Sequence, residues 1–521
     1  MSQMLKSSGA MGVATLASRV LGMVREIAYA GFMGDGWVAG AFKLAFKIPN
    51  LFRRLLGEGA LTAAFIPIFK DKEANAGPVA MWHAANAVTS ALLVLTASIV
   101  GVAMLGLSVA LAHGGFAADT TLMLELLRLM FPYLALVCLT AVFMGILNAR
   151  GHFFMPALGA AALNVVMIAS VYWLAPQFGV RLENQIFALA VGVLVAGVAQ
   201  AAFQLPTLRR EGYRFAWVAP WRDETVREVA RRMIPATIGV AAFQINVVLT
   251  DCVAFLVDPQ IVASFDYAVR LMELPQGVFG ISLATYLLTS LSGLAAEKKF
   301  PEFRATLGQG LSYLVVINSL AAVLLLFLAE PIVRLLFERG AFGPESTERA
   351  AMALQCLAPG LLAFSMVNIL ARAFYALGDT QTPMRVSVFC LGVNLLLSVL
   401  FINDLRQAGL GLANTLTSGL NVWLLLRALR KKLGTLELAE VKRSLKPVLA
   451  AAIVVSILAW PGYQAWDTQF GHATVLAKLG AVFVPAVITS LLYWAVLWAD
   501  KLPAAVEVTA LIQKRLRRTR E

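Results

Sequence analysis

The chain has 521 residues, of which 60% are hydrophobic and 14% are charged, and its mean hydropathy is +0.77. Soluble proteins carry about 25% charged residues, so this chain has too few charged side chains to cover the cores of a soluble protein of its length. The net charge of +13 does not indicate a nucleic-acid partner, because Lys and Arg of a membrane protein concentrate in its cytoplasmic loops. The composition excludes a soluble enzyme and predicts a polytopic membrane protein.

Apolar segments of about 20 residues, long enough to cross a bilayer as a helix, follow one another along the whole chain. The first two are the least apolar, because they contain charges and glycines. Polar turns and turns with Gly or Pro separate the segments. We predict an all-α fold of fourteen transmembrane helices, at residues 8–33, 37–69, 83–111, 121–148, 155–175, 185–207, 228–257, 262–294, 305–329, 349–376, 383–403, 408–430, 445–463 and 475–499.

Lys and Arg are distributed unevenly between the predicted loops. If the N-terminus lies in the cytoplasm, the cytoplasmic segments carry 28 Lys and Arg residues and the opposite loops carry five. This asymmetry follows the positive-inside rule and predicts an even number of spans with both termini in the cytoplasm. It supports the number fourteen less strongly, because the loss of two helices would change the asymmetry little.

Two pairs of prolines recur at nearly the same separation. Pro49 and Pro275 lie 226 residues apart, and Pro156 and Pro383 lie 227 apart. The shared offset predicts two six-helix lobes in parallel orientation, an arrangement typical of transporters that open alternately to each side with the substrate between the lobes. The predicted domains are a first lobe, a second lobe, a pair of additional helices and a basic tail, at residues 1–225, 226–440, 441–500 and 501–521.

Ten Lys and Arg residues remain when those counted with the loops, including residues at the loop ends of spans, are set aside. Three lie near span ends, where snorkelling to the interface is the expected explanation: Arg128, Arg372 and Lys478. The other seven lie in helices 1, 2 and 8: Arg19, Arg25, Lys43, Lys47, Arg53, Arg54 and Arg270. An intramembrane Arg costs roughly 2.5–3.5 kcal/mol even on a lenient insertion scale, so it indicates a function by default.

Helices 1 and 2 hold six cations against Glu26 and Glu58, so pairing within these helices cannot neutralise them. A cationic cluster at low dielectric suits a polyanion such as a phosphate or diphosphate, whose oxygens match the guanidinium fork. Arg19 and Arg25 are about 120° apart on an ideal helix. They would both face one cavity only if the helix bends, and Gly22 between them would permit a bend.

The presence of Arg270 in helix 8 can also be explained by ion pairing within the protein rather than by ligand binding. Asp266 lies four residues before it and Glu273 three residues after it, so both acids can lie on its helical face. Arg270 is therefore either a structural partner of these acids or a further ligand for the same anion.

The sequence contains no motif for catalysis or for a metal site. The four histidines are scattered, and the chain has no His-Glu-x-x-His, phosphate-binding loop or Gly-x-Ser-x-Gly sequence. The four cysteines lie in apolar stretches without the spacing of metal ligands. We predict a transporter rather than an enzyme, with no cofactor.

Three sequence elements resemble the MurJ (MviN) family of lipid II flippases, within the multidrug/oligosaccharidyl-lipid/polysaccharide exporter superfamily. They are residues 17–22 (ASRVLG) with Arg25, residues 46–54 (FKIPNLFRR) continuing to 57–60 (GEGA), and residues 270–278 (RLMELPQGV). The second element is the most specific. The resemblance covers helices 1–12 and extends to the two helices that follow.

The resemblance implies a function and a set of binding residues. Members of the family move the undecaprenyl-diphosphate-linked peptidoglycan precursor, lipid II, from the inner to the outer leaflet of the bacterial plasma (inner) membrane. Two lobes enclose a cationic cavity, and helices 13 and 14 form a groove for the lipid tail. The residues expected to contact the diphosphate and the sugar-peptide headgroup form the predicted headgroup site: Ser18, Arg19, Arg25, Asn50, Arg53, Arg54, Arg270 and Glu273. The implied partners are lipid II, membrane lipids and the cell-wall synthesis machinery, with a functional monomer and no nucleic acid.

The chain departs from the family pattern at the positions of several acids. Gly40 and Val269 stand where many members carry an acid, and Asp266 is a candidate substitute for the second. For a sodium site described in some members, Asp251 and Asn394 match, but Ser398 replaces an Asp. Asp251 is therefore either a candidate for cation or proton coupling or a capped acid near the end of helix 7. Membrane potential is an alternative energy source for transport.

Two other functions are compatible with a membrane protein of this size. An exporter of drugs or of another lipid-linked sugar would share the architecture, but a drug exporter should favour acids in its cavity, and this chain has arginines. A membrane scaffold or a polyprenyl-phosphate enzyme is the second rival. Such an enzyme should have paired carboxylates at one membrane face, and the sequence shows no such pair.

Overall fold

A computed structural model describes residues 2–56, 60–503 and 505–506. Across these residues the regular secondary structure is helical, without a β-strand and with one isolated bridge between Arg339 and Phe342. A helix satisfies its backbone hydrogen bonds internally, which is why segments that cross lipid adopt it. The prediction of an all-α fold is confirmed.

The helices follow the order of the predicted spans, and several of them are broken. The first part of the chain forms α1 (Ser2–Met33), α2 (Trp37–Leu56), α3 (Ala60–His113), α4 (Ala118–Met130), α5 (Tyr133–Ala149), α6 (Phe154–Ala169), α7 (Leu182–Arg210) and α8 (Glu224–Val257). The second part forms α9 (Pro259–Pro275), α10 (Ile281–Ala296), α11 (Phe300–Phe327), α12 (Ala329–Phe337), α13 (Pro344–Leu357), α14 (Gly360–Ala376), α15 (Gln381–Leu433), α16 (Ala439–Phe470) and α17 (Val475–Ala499). Short π-helical turns follow α6 and α9, at Ser170–Leu174 and Gln276–Gly280.

Each of the fourteen predicted spans lies on helical structure, although their ends differ. The described residues of the second predicted span, 37–69, belong to α2 and to the beginning of α3. The backbone of α3 is itself interrupted at Gly77, whose φ of 81° is accessible to glycine. The predicted spans therefore identify the helical segments but not the breaks within them.

Length and composition separate the spans into two classes. Among the described residues, seven helices are long and apolar enough to cross a membrane, and up to nine if each of two bent pairs is one span. The predicted spans that fall outside this set are the first, second, seventh and eighth. The seven cations that indicate a function all lie in three of these four spans, the first, second and eighth, so the same charges also lower the hydropathy.

α15 is 53 residues long, and a straight helix of this length would measure about 80 Å, far more than the roughly 30 Å of a bilayer core. Its backbone is non-helical at Arg406, with φ 50° and ψ −129°. Lys432 Nζ lies 2.7 Å from Asp379 Oδ2, which places the end of α15 beside its start. α15 is therefore a hairpin of two helices, in agreement with the predicted spans 383–403 and 408–430.

Two helix pairs are bent at a proline. α4 and α5 meet at 42° across Pro132, and α13 and α14 meet at 47° across Pro359. Proline removes a backbone donor and clashes with the preceding turn, which explains both bends. The two prolines lie 227 residues apart, so they add a third pair at the offset of the predicted repeat.

The chain divides into two compact units. The first holds the residues up to Ala263 together with Arg339–Phe342, and the second holds Ser264–Glu338 and the chain from Gly343 onward. In the first unit, α2 packs through alanines that are fully buried, and such small residues allow helices to approach closely. In the second unit, the core includes residues of α10, α11 and α14–α17. The lobe boundaries expected from the repeat stay a prediction.

The short helix α12 is absent from the predicted spans, and it carries an ionic network of the second unit. Arg334 donates to Glu330 at 2.7 Å and to the hydroxyl of Tyr463 in α16 at 2.6 Å. Glu338 lies 3.3 Å from both Arg334 and Lys478 of α17. Lys478, in the first turn of α17, therefore forms an ion pair with α12's C-cap residue, and its snorkelling to the interface stays a prediction.

Candidate functional site

The first two residues of the predicted headgroup site lie on α1. The helix runs without a break from Ser2 to Met33, so Gly22 does not interrupt it. Arg19 is exposed whereas Arg25 is mostly buried, as expected for two positions about 120° apart. The carbonyl of Ser18 accepts a hydrogen bond from Asn164 of α6 at 3.1 Å. In this state α1 does not direct Arg19 and Arg25 to the same side.

A buried carboxylate lies between two of the cations. Glu26, with 5% of its side chain exposed, is 2.6 Å from Arg25 Nη2 and 3.8 Å from Lys43 Nζ of α2. The guanidinium of Arg25 also lies 5.5 Å from the ring centroid of Tyr29, within cation–π range. Pairing across α1 and α2 therefore stabilises Arg25 and Lys43 in an apolar setting.

Lys47 forms its ion pair with a residue far away in the sequence. Its Nζ lies 2.8 Å from Oδ2 of Asp251 on α8, whose side chain is 4% exposed. The sequence left open whether Asp251 carries a cation or proton or is a capped acid near the end of its helix. The structure shows that Lys47 holds its carboxylate in this state, so a cation or a proton at Asp251 would compete with Lys47.

The last turn of α2 presents three polar side chains of the predicted headgroup site. Arg53 Nε donates to Asn50 Oδ1 at 2.7 Å, and Arg54 Nη1 donates to Gln244 Oε1 of α8 at 3.3 Å. In these two hydrogen bonds neutral amide oxygens accept from the guanidinium groups and orient them. Glu58, which the sequence offered as a local acid, lies outside the described residues.

The cations outnumber the acids in this part of the molecule. Residues 17–56 contain six Lys and Arg residues against two acids, Glu26 and Asp35. Asp251 adds one more acid through Lys47. By residue count, this stretch together with Asp251 therefore holds three more cations than acids.

The second compact unit contains the remaining residues of the predicted headgroup site. Arg270 Nη1 lies 3.0 Å from Glu273 Oε2 on α9, and their side chains are 35% and 49% exposed. An ion pair this accessible contributes at most about 1 kcal/mol. Asp266, one turn earlier, is buried.

The departures from the family pattern have local structural consequences. Gly40 is buried on α2, and a Cβ at this position would overlap the backbone carbonyl of Pro259. An acid at position 40 would therefore not fit in this conformation. Asn394 and Ser398 are both buried on α15. Within the described ranges, no three His, Cys, Asp or Glu residues come together as a metal site.

Two features of the site were not assigned from the sequence. Gln244 was not singled out, and Asp251 was not predicted to pair with Lys47. Both residues belong to α8, as polar side chains in an otherwise apolar stretch. A polar side chain in an apolar helix can be recognised in the sequence, but the sequence does not indicate which helix that side chain contacts.

Comparisons with known proteins identify the family. A family model described as "Lipid II flippase MurJ" matches residues 29–480. A protein of Vibrio cholerae described as a probable lipid II flippase MurJ is 33% identical over 473 residues, which cover 88% of this chain and 89% of that protein. A lipid II flippase MurJ of Burkholderia cenocepacia is 32% identical over 497 residues, which cover 93% of this chain and 95% of that protein.

Solved structures show the same fold. A lipid II flippase MurJ in an inward closed conformation matches with a TM-score of 0.76 at 21% identity, over 93% of this chain and 98% of that one. An inward-facing multidrug resistance transporter of the MATE family matches with a TM-score of 0.64 at 15% identity, over 80% and 96%. At these identities the likeness shows the fold alone. Because the family model covers most of the chain and relatives above 30% identity cover nearly all of it, the chain belongs to the lipid II flippase MurJ family.

Proposed function

We propose that this protein translocates lipid II from the inner to the outer leaflet of the bacterial plasma membrane by alternating access. The observation that carries the proposal is the number of cationic side chains on α1 and α2, six against two acids in residues 17–56. Family membership supports the same substrate. In this proposal both termini lie in the cytoplasm and the protein supplies cell-wall synthesis with its precursor.

The chemistry of the cluster suits a diphosphate. Arg25, Arg53 and Arg54 present planar guanidinium groups, which bind phosphate oxygens in a bidentate manner and keep their charge at any physiological pH. Neutral amides hold two of these groups in place. The diphosphate would supply the missing negative charge, while the polyprenyl tail stays in the lipid beside α16 and α17.

Arg19 and Arg270 complete the proposal as ligands for the headgroup. Arg19 is exposed, and 35% of the Arg270 side chain is accessible. During the transport cycle Arg270 would exchange its partner Glu273 for the substrate phosphate, because both bind the same guanidinium group. Membrane potential, or a monovalent cation at Asp251 and Asn394, would bias the direction, since moving one charge through 100 mV is worth about 2.3 kcal/mol.

The test is growth of a bacterium depleted of its own lipid II flippase. The full chain is expressed with Arg19→Ala, Arg25→Ala, Arg53→Ala or Arg270→Ala, and the amount of each variant in the membrane is measured. Loss of one charge-assisted hydrogen bond costs about 1.5–3 kcal/mol, so we expect lipid II affinity to fall on the order of ten- to hundredfold, with loss of growth at normal protein levels.

Arg209→Ala and Arg210→Ala serve as matched controls, because both arginines are exposed at the end of α7. These variants should grow normally. Binding of lipid II to the purified variants separates a binding defect from a folding defect. Full growth by all four site variants would refute the assignment of the headgroup site.

A further inference from the structure

A second basic feature lies away from the predicted headgroup site. A pocket of about 690 Å³ lies between the two halves of the α15 hairpin. Val386, Leu424 and Ala428 form an apolar wall, and Arg427, Arg430 and Lys431 supply three positive charges. Acidic residues do not line this pocket, so its charge is uniformly positive.

The three cations are available to a ligand. Arg427, Arg430 and Lys431 are exposed, and none of them has a hydrogen bond or ion pair with any residue that the structure describes. The neighbouring Lys432 differs, because it pairs with Asp379 at 2.7 Å and thereby closes the hairpin. One cation of this basic run therefore has a structural partner, and three face an open pocket.

The surroundings of the pocket are those of a membrane interface. The guanidinium of Arg427 lies 5.5 Å from the ring centroid of Trp423, and this ring is 54% exposed. Tryptophan is enriched where membrane helices meet the headgroup region. Phe389, on the other half of the hairpin, is also exposed. A ligand at this site would meet charge at one end and apolar surface at the other.

We propose that this pocket binds the phosphate headgroup of an anionic phospholipid of the surrounding leaflet. Arg427, Arg430 and Lys431 would hold the phosphate, and the acyl chains would lie against the exposed apolar surface of α15. Basic pockets between helices on the cytoplasmic side are suited to acidic lipid headgroups. The apolar wall distinguishes this ligand from free phosphate, which would gain nothing from it. The site depends only on the membrane location of α15, so it stands apart from lipid II transport.

The experiment compares lipid retention by the purified full-length protein. Wild type and the variant Arg427→Gln/Arg430→Gln/Lys431→Gln are placed in bilayer discs of phosphatidylcholine with a minority of phosphatidylglycerol, and the lipids that stay bound on transfer to detergent are quantified. Each Lys or Arg near an acidic surface contributes about fivefold to affinity. We therefore expect wild type to retain phosphatidylglycerol selectively and the variant to bind it on the order of a hundredfold more weakly.

The matched control is Lys442→Gln/Arg443→Gln/Lys446→Gln. It removes the same charge from exposed positions of α16 that do not line the pocket, and it should retain phosphatidylglycerol like wild type. Equal retention by the pocket variant, equal loss in the control, or displacement of the lipid by excess inorganic phosphate would each overturn the proposal.

A second readout locates the lipid. Bromine on the acyl chains quenches nearby tryptophans, and the signal of Trp423 is obtained as the difference between wild type and Trp423→Phe. We expect brominated phosphatidylglycerol to quench Trp423 more than brominated phosphatidylcholine does. Equal quenching by the two lipids would contradict selective binding at this pocket, whatever the stability of the variants.

Discussion

Asp251 and Lys47 show how strongly a single residue depends on its partner in this fold. The carboxylate is almost completely buried, and the ammonium group lies 2.8 Å from it. Removal of one member of a buried ion pair leaves an uncompensated charge, which costs about 3–5 kcal/mol, whereas removal of both costs much less. The pair therefore explains the presence of Lys47 inside a membrane helix without assigning it to the substrate.

We predict strong coupling between these two residues. Lys47→Gln and Asp251→Asn should each lower the thermal stability of the purified protein, by the equivalent of about 3 kcal/mol. The double variant should lose clearly less than the sum, because neither charge is then left alone. Melting temperatures in one detergent measure the cycle.

Lys70→Gln is the control for burial. Lys70 also lies 2.8 Å from its acid, Glu73, but 49% of its side chain is exposed. Exposed pairs contribute about 0–1 kcal/mol, so this variant should melt close to wild type. Additive losses in the Lys47 and Asp251 cycle would show that the two residues act independently.

At the scale of elements, one acid defines the start of the α15 hairpin. Asp379 accepts hydrogen bonds from the backbone N–H and the hydroxyl of Thr382, at 3.0 and 2.8 Å. It also pairs with Lys432 at the other end of the hairpin. The hydrogen bond from Lys432, followed by the bonds from Thr382, lowers the pKa of Asp379 to about 2.

This pKa predicts how the stability of the hairpin depends on pH. A carboxyl with a depressed pKa stabilises the fold above its ordinary pKa, here 3.8, and this contribution is lost as the pH falls toward about 2. Asp379→Asn should therefore melt below wild type at pH 7. The difference should persist down to about pH 4 and shrink below it. A difference that stays constant between pH 4 and pH 3 would contradict the role of the ionised carboxylate.

A similar connection occurs in the first compact unit. Arg150, in the loop after α5, forms ion pairs with Glu73 and with Glu211 at the end of α7. His152 also lies 2.7 Å from Glu211. In both units the loop before the fifth predicted helix of a lobe is therefore tied to the end of the sixth. Together with the bends at Pro132 and Pro359, this correspondence supports the six-helix repeat.

At the scale of the whole molecule, the distribution of Lys and Arg predicts the orientation in the membrane. We expect Arg209 to lie in the cytoplasm and Arg181 on the outer side. The experiment introduces Arg209→Cys or Arg181→Cys after removal of the four native cysteines. A membrane-impermeant thiol reagent should label position 181 in intact spheroplasts and position 209 only after permeabilisation. The opposite labelling would reverse the topology.

Composition and local charge were sufficient to predict much of this protein. The apolar segments indicated the helices, and the intramembrane cations of α1, α2 and α9 indicated a polyanion. Both signals are properties of short stretches of chain. Glu26 beside Arg25 could also be anticipated, since the two residues are adjacent. The irregular features could not be predicted from the sequence in the same way. Arg406 is not a residue type that favours a positive φ, and α12 is too short to be recognised as a span.

The sequence by itself determined the class of protein, the helical segments and the surplus of positive charge on α1 and α2. Only the tertiary structure decided which acid neutralises which cation. Lys47 and Asp251 are 204 positions apart and meet because α2 packs on α8, and Lys478 pairs with Glu338 for the same kind of reason. An ion pair depends on a distance of a few ångströms in space, and the chain order of two residues does not specify that distance until the helices are packed.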